Sequence, residues 1–132
     1  FEVTETAAVF NLEKTSRMIS LLKKLGCRFA LDDFGSGLSS FGYLKNLPVN
    51  FLKIDGSFVK DMNTDPMYRA IVEAIHQVGH TLSIRTIAEF VENQAIVDQL
   101  KSIGVDFAQG YHFSKPEPLL GNDNIVALHR KA

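Results

Sequence analysis

Phe29-Ala30-Leu31-Asp32-Asp33-Phe34-Gly35-Ser36-Gly37 decides the fold: an apolar run ends in two adjacent carboxylates and then enters a glycine-bracketed turn that neither a helix nor a strand interior would hold. Ionised groups leave water only when paired or metal-bound, so two carboxylates at the mouth of a buried strand call for compensating cations. The same pattern recurs downstream. Lys53 and Asp55 close the run begun by Phe51-Leu52, Glu89 closes residues 84–88, and Gln109 closes residues 105–108. Polar residues gathered at the carboxyl ends of successive strands are the address of an active site in a (β/α) barrel.

Working outward, residues 1–5 read as a strand, and residues 11–25 as a helix with Leu12, Met18, Leu21, Leu22 and Leu25 at helical spacing, stopped by Gly26. Residues 28–32, 50–55, 82–88 and 105–109 read as further strands. Between them stand helices over 39–47, ended by Pro48, over 66–78, ended by Gly79, and over 94–103, ended by Gly104; a last helix is expected near 124–129. Strict alternation of this kind predicts right-handed parallel βαβ units in one α/β domain. An open doubly wound sheet would fit the element count, but no Gly-rich dinucleotide fingerprint follows any strand. A barrel arc fits better, because the polar strand ends converge only if the sheet curves.

The 132 residues, 45% hydrophobic with a net charge of −1, suffice for one core and carry none of the basic bias of a nucleic-acid-polymer binder. No stretch approaches the roughly twenty apolar residues of a membrane span, and the opening Phe1-Glu2-Val3 lacks the pattern of a signal peptide. It reads instead as an internal strand of a longer polypeptide. The single cysteine, Cys27, cannot form an internal disulfide and reads as a small core residue in a reducing compartment. His76, His80, His112 and His129 lack ligand spacing with it and read as surface or helix-end residues.

Glu2, Asp32, Asp33, Glu89 and Gln109 offer oxygen and no sulfur, the donor set of Mg²⁺ or Mn²⁺. Two such ions close together activate water and steady the attacking and departing oxygens of a phosphoryl group. Asp32 is the natural bridge between them, with Asp33 adding a ligand to the second. Lys53 reads either as a cation holding a phosphate or the attacking water, or as a strand-end lysine paired with Asp55. Asp32-Asp33 also has a reading as a turn cap, and Glu89 and Glu92 as helix-dipole partners, Glu92 mainly as support. Gly35-Ser36-Gly37 would form a mobile loop beside the aspartates, ordering against a bound dinucleotide or metal.

Phe1-Glu2-Val3-Thr4-Glu5-Thr6, Asp32-Asp33-Phe34-Gly35-Ser36-Gly37-Leu38-Ser39-Ser40, Leu52-Lys53-Ile54-Asp55, Ile87-Ala88-Glu89-Phe90-Val91-Glu92 and Gln109-Gly110-Tyr111 with Pro116 together resemble the EAL-domain cyclic-di-GMP phosphodiesterases. The resemblance runs over nearly the whole chain and is nearest to tandem diguanylate-cyclase/phosphodiesterase proteins. It implies a TIM-like barrel, of which this would be the C-terminal portion, and hydrolysis of cyclic di-GMP to linear pGpG with Mg²⁺ or Mn²⁺ at a two-metal site. Glu2, Asp32, Asp33, Glu89 and Gln109 fall on its metal-binding and catalytic positions, with Lys53 beside them and Glu89 a ligand or the general base. Glu5 falls on the glutamate that steadies the loop after Asp33; Asp55, Glu92 and the glycine loop are supporting positions, and Phe34, Gly110 and Pro116 are expected at the substrate.

The Glu-Ala-Leu strand and a metal-binding Asn of the family have no counterpart here, and Phe90 stands where Gly is common, as it does in some members. Half a coordination sphere should bind metal weakly, so the intact parent domain is expected to be the enzyme and the fragment alone inactive. Exposed sheet edges predict a dimer or association with the missing half of the barrel. The resemblance further implies a cytoplasmic domain, in a parent carrying a GGDEF or sensory domain upstream and anchored to the membrane, if at all, through other domains. The competing class is a regulatory module that binds cyclic di-GMP without turnover; an enolase-like lyase explains the carboxylates but not the motif order.

Overall fold

A computed structural model describes residues 1–37, 41–116 and 125–128. Strands β1 (Glu2–Thr4), β2 (Ala30–Phe34), β3 (Phe51–Ile54), β4 (Arg85–Ala88) and β5 (Phe107–Gln109) lie parallel in chain order, and β6 (Ile125–Ala127) pairs antiparallel with β5. Helices α1 (Glu5–Phe10), α2 (Leu12–Lys23), α3 (Gly56–Asp61), α4 (Pro66–Thr81) and α5 (Gln94–Ile103), with a 3-10 helix over Phe41–Asn46, fill the crossovers. The architecture is a partial barrel.

Side chains alternate across the sheet. Leu31, Leu52, Ile54, Ala88 and Ala108 are fully buried and belong to one core with Ile19 of α2, Val72 and Ile75 of α4, and Ile96, Val97 and Leu100 of α5. Each large side chain so buried contributes roughly 2 kcal/mol. The register Phe51↔Arg85, Lys53↔Ile87 and Ile87↔Phe107 assigns the opposite face to Phe51, Lys53, Arg85, Ile87 and Phe107. There the Arg85 guanidinium lies over both phenylalanine rings, at 4.7 and 5.3 Å. Lys53 therefore faces away from the helices, toward the concave side.

Several elements depart from the periodicity. The helix expected over 11–25 is α2, started by Asn11 accepting from the Lys14 N–H, but a short helix not expected precedes it: Thr4 accepts from the Ala7 N–H and starts α1 directly after β1. Helix α3 was not expected, although Asp55 caps it through the Ser57 N–H at 2.8 Å. Of the helix expected over 39–47, residues 39 and 40 lie outside the described residues and the remainder is the 3-10 turn. The terminal helix is overturned: the backbone at 125–127 is a strand, drawn by the free hydrogen-bonding edge of β5 and β-branched Ile125 and Val126, while 124 and 129 lie outside the described residues. Among the described residues the outer strands of the sheet are β1 and the antiparallel β6, which covers the edge of β5.

Candidate active site

Lys53 stands near the end of β3, only 4% exposed, and its ammonium is met by carboxylates from three other segments: Asp32 Oδ1 at 2.9 Å, Glu2 Oε1 at 3.0 Å and Glu89 Oε1 at 3.0 Å. Parallel pairing is what delivers them. β1, β2, β3 and β4 are neighbours in that order, and the β3–β4 ladder runs on to Glu89, whose N–H donates to Ile54 O at 3.4 Å. Burial pulls the Lys53 pKa down, but the hydrogen bonds its ammonium donates to Asp32, Glu89 and Glu2 outweigh it and leave the lysine firmly charged, its pKa above the ordinary value. Glu89 moves the other way from most paired acids: burial raises its pKa against the pull of Lys53. Asp55 caps α3 and takes no part in pairing Lys53.

Consecutive strand residues ordinarily point to opposite faces, yet Asp32 and Asp33 serve one cluster. The register slips between Leu31 and Phe34, and Asp33 takes φ 55°, so one extra residue is taken up as a bulge at the strand end. Oxygens of Asp32, Asp33 and Glu89 lie within 4.8 Å of one another. Desolvation, then the neighbouring Asp32 and Asp55 carboxylates, raise the Asp33 pKa. One ammonium thus pairs with three carboxylates while a fourth, Asp33, lies beside two of them, an excess of negative charge that a small divalent cation would relieve. The Gln109 Oε1 is buried and has no hydrogen-bond partner among the described residues. An all-oxygen set with excess charge and an orphaned amide oxygen fits a hard divalent ion.

The loop after Asp33 is braced from below. Glu5, 3% exposed in α1, accepts from the Gly35 N–H at 3.0 Å and from the Tyr43 hydroxyl at 2.6 Å. Gly35 has φ 96°, open to glycine without strain, and the Ser36 hydroxyl donates to Asp33 O at 2.8 Å. Burial and the bond to Glu5 raise the Tyr43 pKa well above its ordinary value. Gly37 follows in a bend, and Leu38-Ser39-Ser40 lie outside the described residues.

Beside the cluster opens a cavity of about 550 Å³, walled by Glu89, Phe90, Glu92, Gln109, Gly110, Tyr111 and Pro116. Ser57, Lys60 and Ser114 also line it and have no signal in the sequence; Ser57 and Lys60 ride on the unforeseen α3, whereas Tyr111 belongs to the Gln109-Gly110-Tyr111 motif. Phe34 does not reach the cavity. It is 1% exposed and packs on Phe41 and Tyr43 in the core beneath the loop. Nor is His76 a surface residue: it is half-buried with Nδ1 2.8 Å from Thr86 Oγ1, which in turn donates to Asp106.

A profile of the EAL domain matches residues 1–116. The chain is 51% identical over 119 residues to a cyclic di-GMP phosphodiesterase, PdeB, of Shewanella oneidensis, covering 90% of this chain and 14% of that protein. A solved "PaMucR phosphodiesterase, c-di-GMP complex" superposes with a TM-score of 0.84 at 37% identity, covering 90% of this chain and 48% of that one. A Klebsiella pneumoniae BlrP1 structure described as a calcium/cyclic-di-GMP complex gives 0.80 at 31% identity, over 87% of this chain and 29% of that one. The chain thus spans about half of the first of these solved chains and a small fraction of the curated relative.

Proposed function

The chain belongs to the EAL domain family, and on that premise we propose that it is the C-terminal portion of a domain that hydrolyses cyclic di-GMP to linear pGpG with Mg²⁺ or Mn²⁺. The observation that carries the reading is Lys53 ringed by Glu2, Asp32 and Glu89 from separate segments, with Asp33 close by. Glu2, Asp32, Asp33, Glu89 and Gln109 would hold the ions, which supply charge stabilisation at the phosphoryl group and a more acidic water.

The remaining chemistry belongs to the chain. Water adds to phosphorus, one P–O3′ ester bond breaks, and the departing 3′ oxygen takes up a proton. The Lys53 ammonium, kept charged by its neighbours, steadies the negative charge gathering on the phosphoryl oxygens. Glu89, 3.0 Å from the Lys53 ammonium, is either one of those metal ligands or, in place of that role, the group that accepts the proton of the attacking water. Phe90 and Tyr111 give the cavity aromatic walls for a planar base, and Lys60 a cation for a phosphate.

The two-metal site, the cytoplasmic setting, a GGDEF or sensory domain elsewhere in the polypeptide, and a dimer or a barrel completed by the other half belong to the same reading. Free Cys27 and the longer relatives support it. The test is turnover of cyclic di-GMP by the intact domain with Mg²⁺ or Mn²⁺, repeated with Asp32→Asn. Conversion to pGpG that Asp32→Asn abolishes while nucleotide binding persists is the expected result. Binding without turnover in the wild type would overturn it in favour of a regulatory module.

A further inference from the structure

Glu89, Phe90 and Val91 leave β4 as a segment gripped on both sides by glycines. Continuing the register Ile54↔Ala88 puts Asp55 level with Glu89 and Gly56 level with Phe90. Phe90 has φ 53°, a conformation that bulky L residues seldom take, and its ring lies over Gly56 while remaining 61% exposed at the cavity wall. A Cβ at position 56 would stand 2.9 Å from Phe90 Cβ and closer still to Cγ and Cδ2. Turning the ring cannot relieve this, because Phe90 Cβ is fixed to the backbone. Any side chain at 56 must therefore push the backbone of Phe90, and Glu89 is its immediate neighbour.

The far side offers no slack. A Cβ at Gly110 would meet the Val91 carbonyl carbon at 2.8 Å, with the Val91 nitrogen and oxygen nearer. The Val91 N–H donates to Gln109 O at 3.1 Å, and the His112 N–H donates to Val91 O at 2.9 Å. Resting on the phosphodiesterase reading above, we propose that Phe90 and Gly56 are a mutually dependent positioning pair: left-handed Phe90, packed where only glycine leaves room, sets the direction in which Glu89 enters the Lys53 cluster. Phe90 acts through Glu89 and takes no part in proton transfer. The identities of residues 56 and 90 are then not independent of each other.

The test compares wild type, Gly56→Ala, Phe90→Gly, Phe90→Ala and the two double variants in the intact domain, by steady-state hydrolysis of cyclic di-GMP with Mn²⁺ below every melting midpoint. A misplacement of about 1 Å costs on the order of 100-fold in rate, so Gly56→Ala should lower kcat about 100-fold while KM moves within about threefold. In the Phe90→Gly background Gly56→Ala should cost nothing further. In the Phe90→Ala background, where Cβ remains, it should still cost most of that factor. Should Gly56→Ala fail to fold, recovery of folding by Phe90→Gly but not by Phe90→Ala is the same result read by thermal melting. Losses that multiply across the cycle, or equal rescue by both substitutions, overturn the pairing with the phosphodiesterase reading intact; a wild-type domain without turnover overturns both.

Discussion

Lys53→Met keeps most of the side-chain length and deletes the charge, leaving Asp32, Glu89 and Glu2 to face one another across the space the ammonium held. Breaking a buried ion pair from one side costs about 3–5 kcal/mol. Asp32 and Glu89 are mostly buried, but the Glu2 side chain is 54% exposed and screened by water, which places the loss at the low end, about 3 kcal/mol. For a domain of this order that lowers the melting midpoint by roughly 10 °C. Thermal unfolding in EDTA measures it, and saturating Mn²⁺ should restore part of the loss by binding the native state alone. The pH dependence has a definite sign. A folded-state pKa raised above the ordinary value of about 10.4 means that the lysine's stabilisation is complete below that value and disappears as pH rises through the folded one. The gap between wild type and Lys53→Met should therefore hold from roughly pH 7 to 10 and narrow only above it. An unchanged midpoint in EDTA, or a gap that closes near neutrality, would refute the reasoning.

Glu89→Gln removes a carboxylate whose folded pKa is raised by burial; wild-type stability relative to this variant should fall as pH rises from the unfolded value of about 4.3 through the raised folded one, followed by urea titration. Tyr43→Phe takes a donor from buried Glu5 and should cost about 2 kcal/mol by urea unfolding; in the wild type, ultraviolet titration should show one of the three tyrosines ionising above the usual range, and the variant should lose that step. Glu5→Gln weakens the acceptor of the Gly35 N–H, and hydrogen exchange at that amide should accelerate while amides of β3 keep their protection.

The chain displayed its barrel character because each strand ends in a residue too polar for its apolar run: Asp32 after Leu31, Lys53 after Leu52, Glu89 after Ala88. Glu5 was visible only through resemblance, since a carboxylate in the first turn of a helix reads equally well as a dipole partner; its bonds to Gly35 and Tyr43 join residues 30 and 38 positions apart. The burial of Phe34 was not legible for a related reason: the bulge at Asp33 shifts the register so that the Phe34 ring turns into the core. Helix α3 is a single short stretch with too few turns to show periodicity, and β6 depends on pairing with β5, which β-branched Ile125 and Val126 favour but cannot specify by themselves. The clash between positions 56 and 90 is likewise silent in sequence, because glycine after Asp55 reads as ordinary turn chemistry.

Not all strand ends at the functional rim are joined in the same way. β1 passes into α1 without an intervening residue, and β3 reaches α3 through Asp55 alone, so Glu2 and Lys53 stand on stiff posts. The connectors leaving β2, β4 and β5 are longer, and among the described residues 35–37, 89–93 and 110–116 carry the glycine loop and much of the cavity wall. Drift in the connectors can reshape what the opening admits while the charged centre stays put; the short joints tolerate almost none. Diversification in such a scaffold is thereby channelled into three of its five parallel-strand exits.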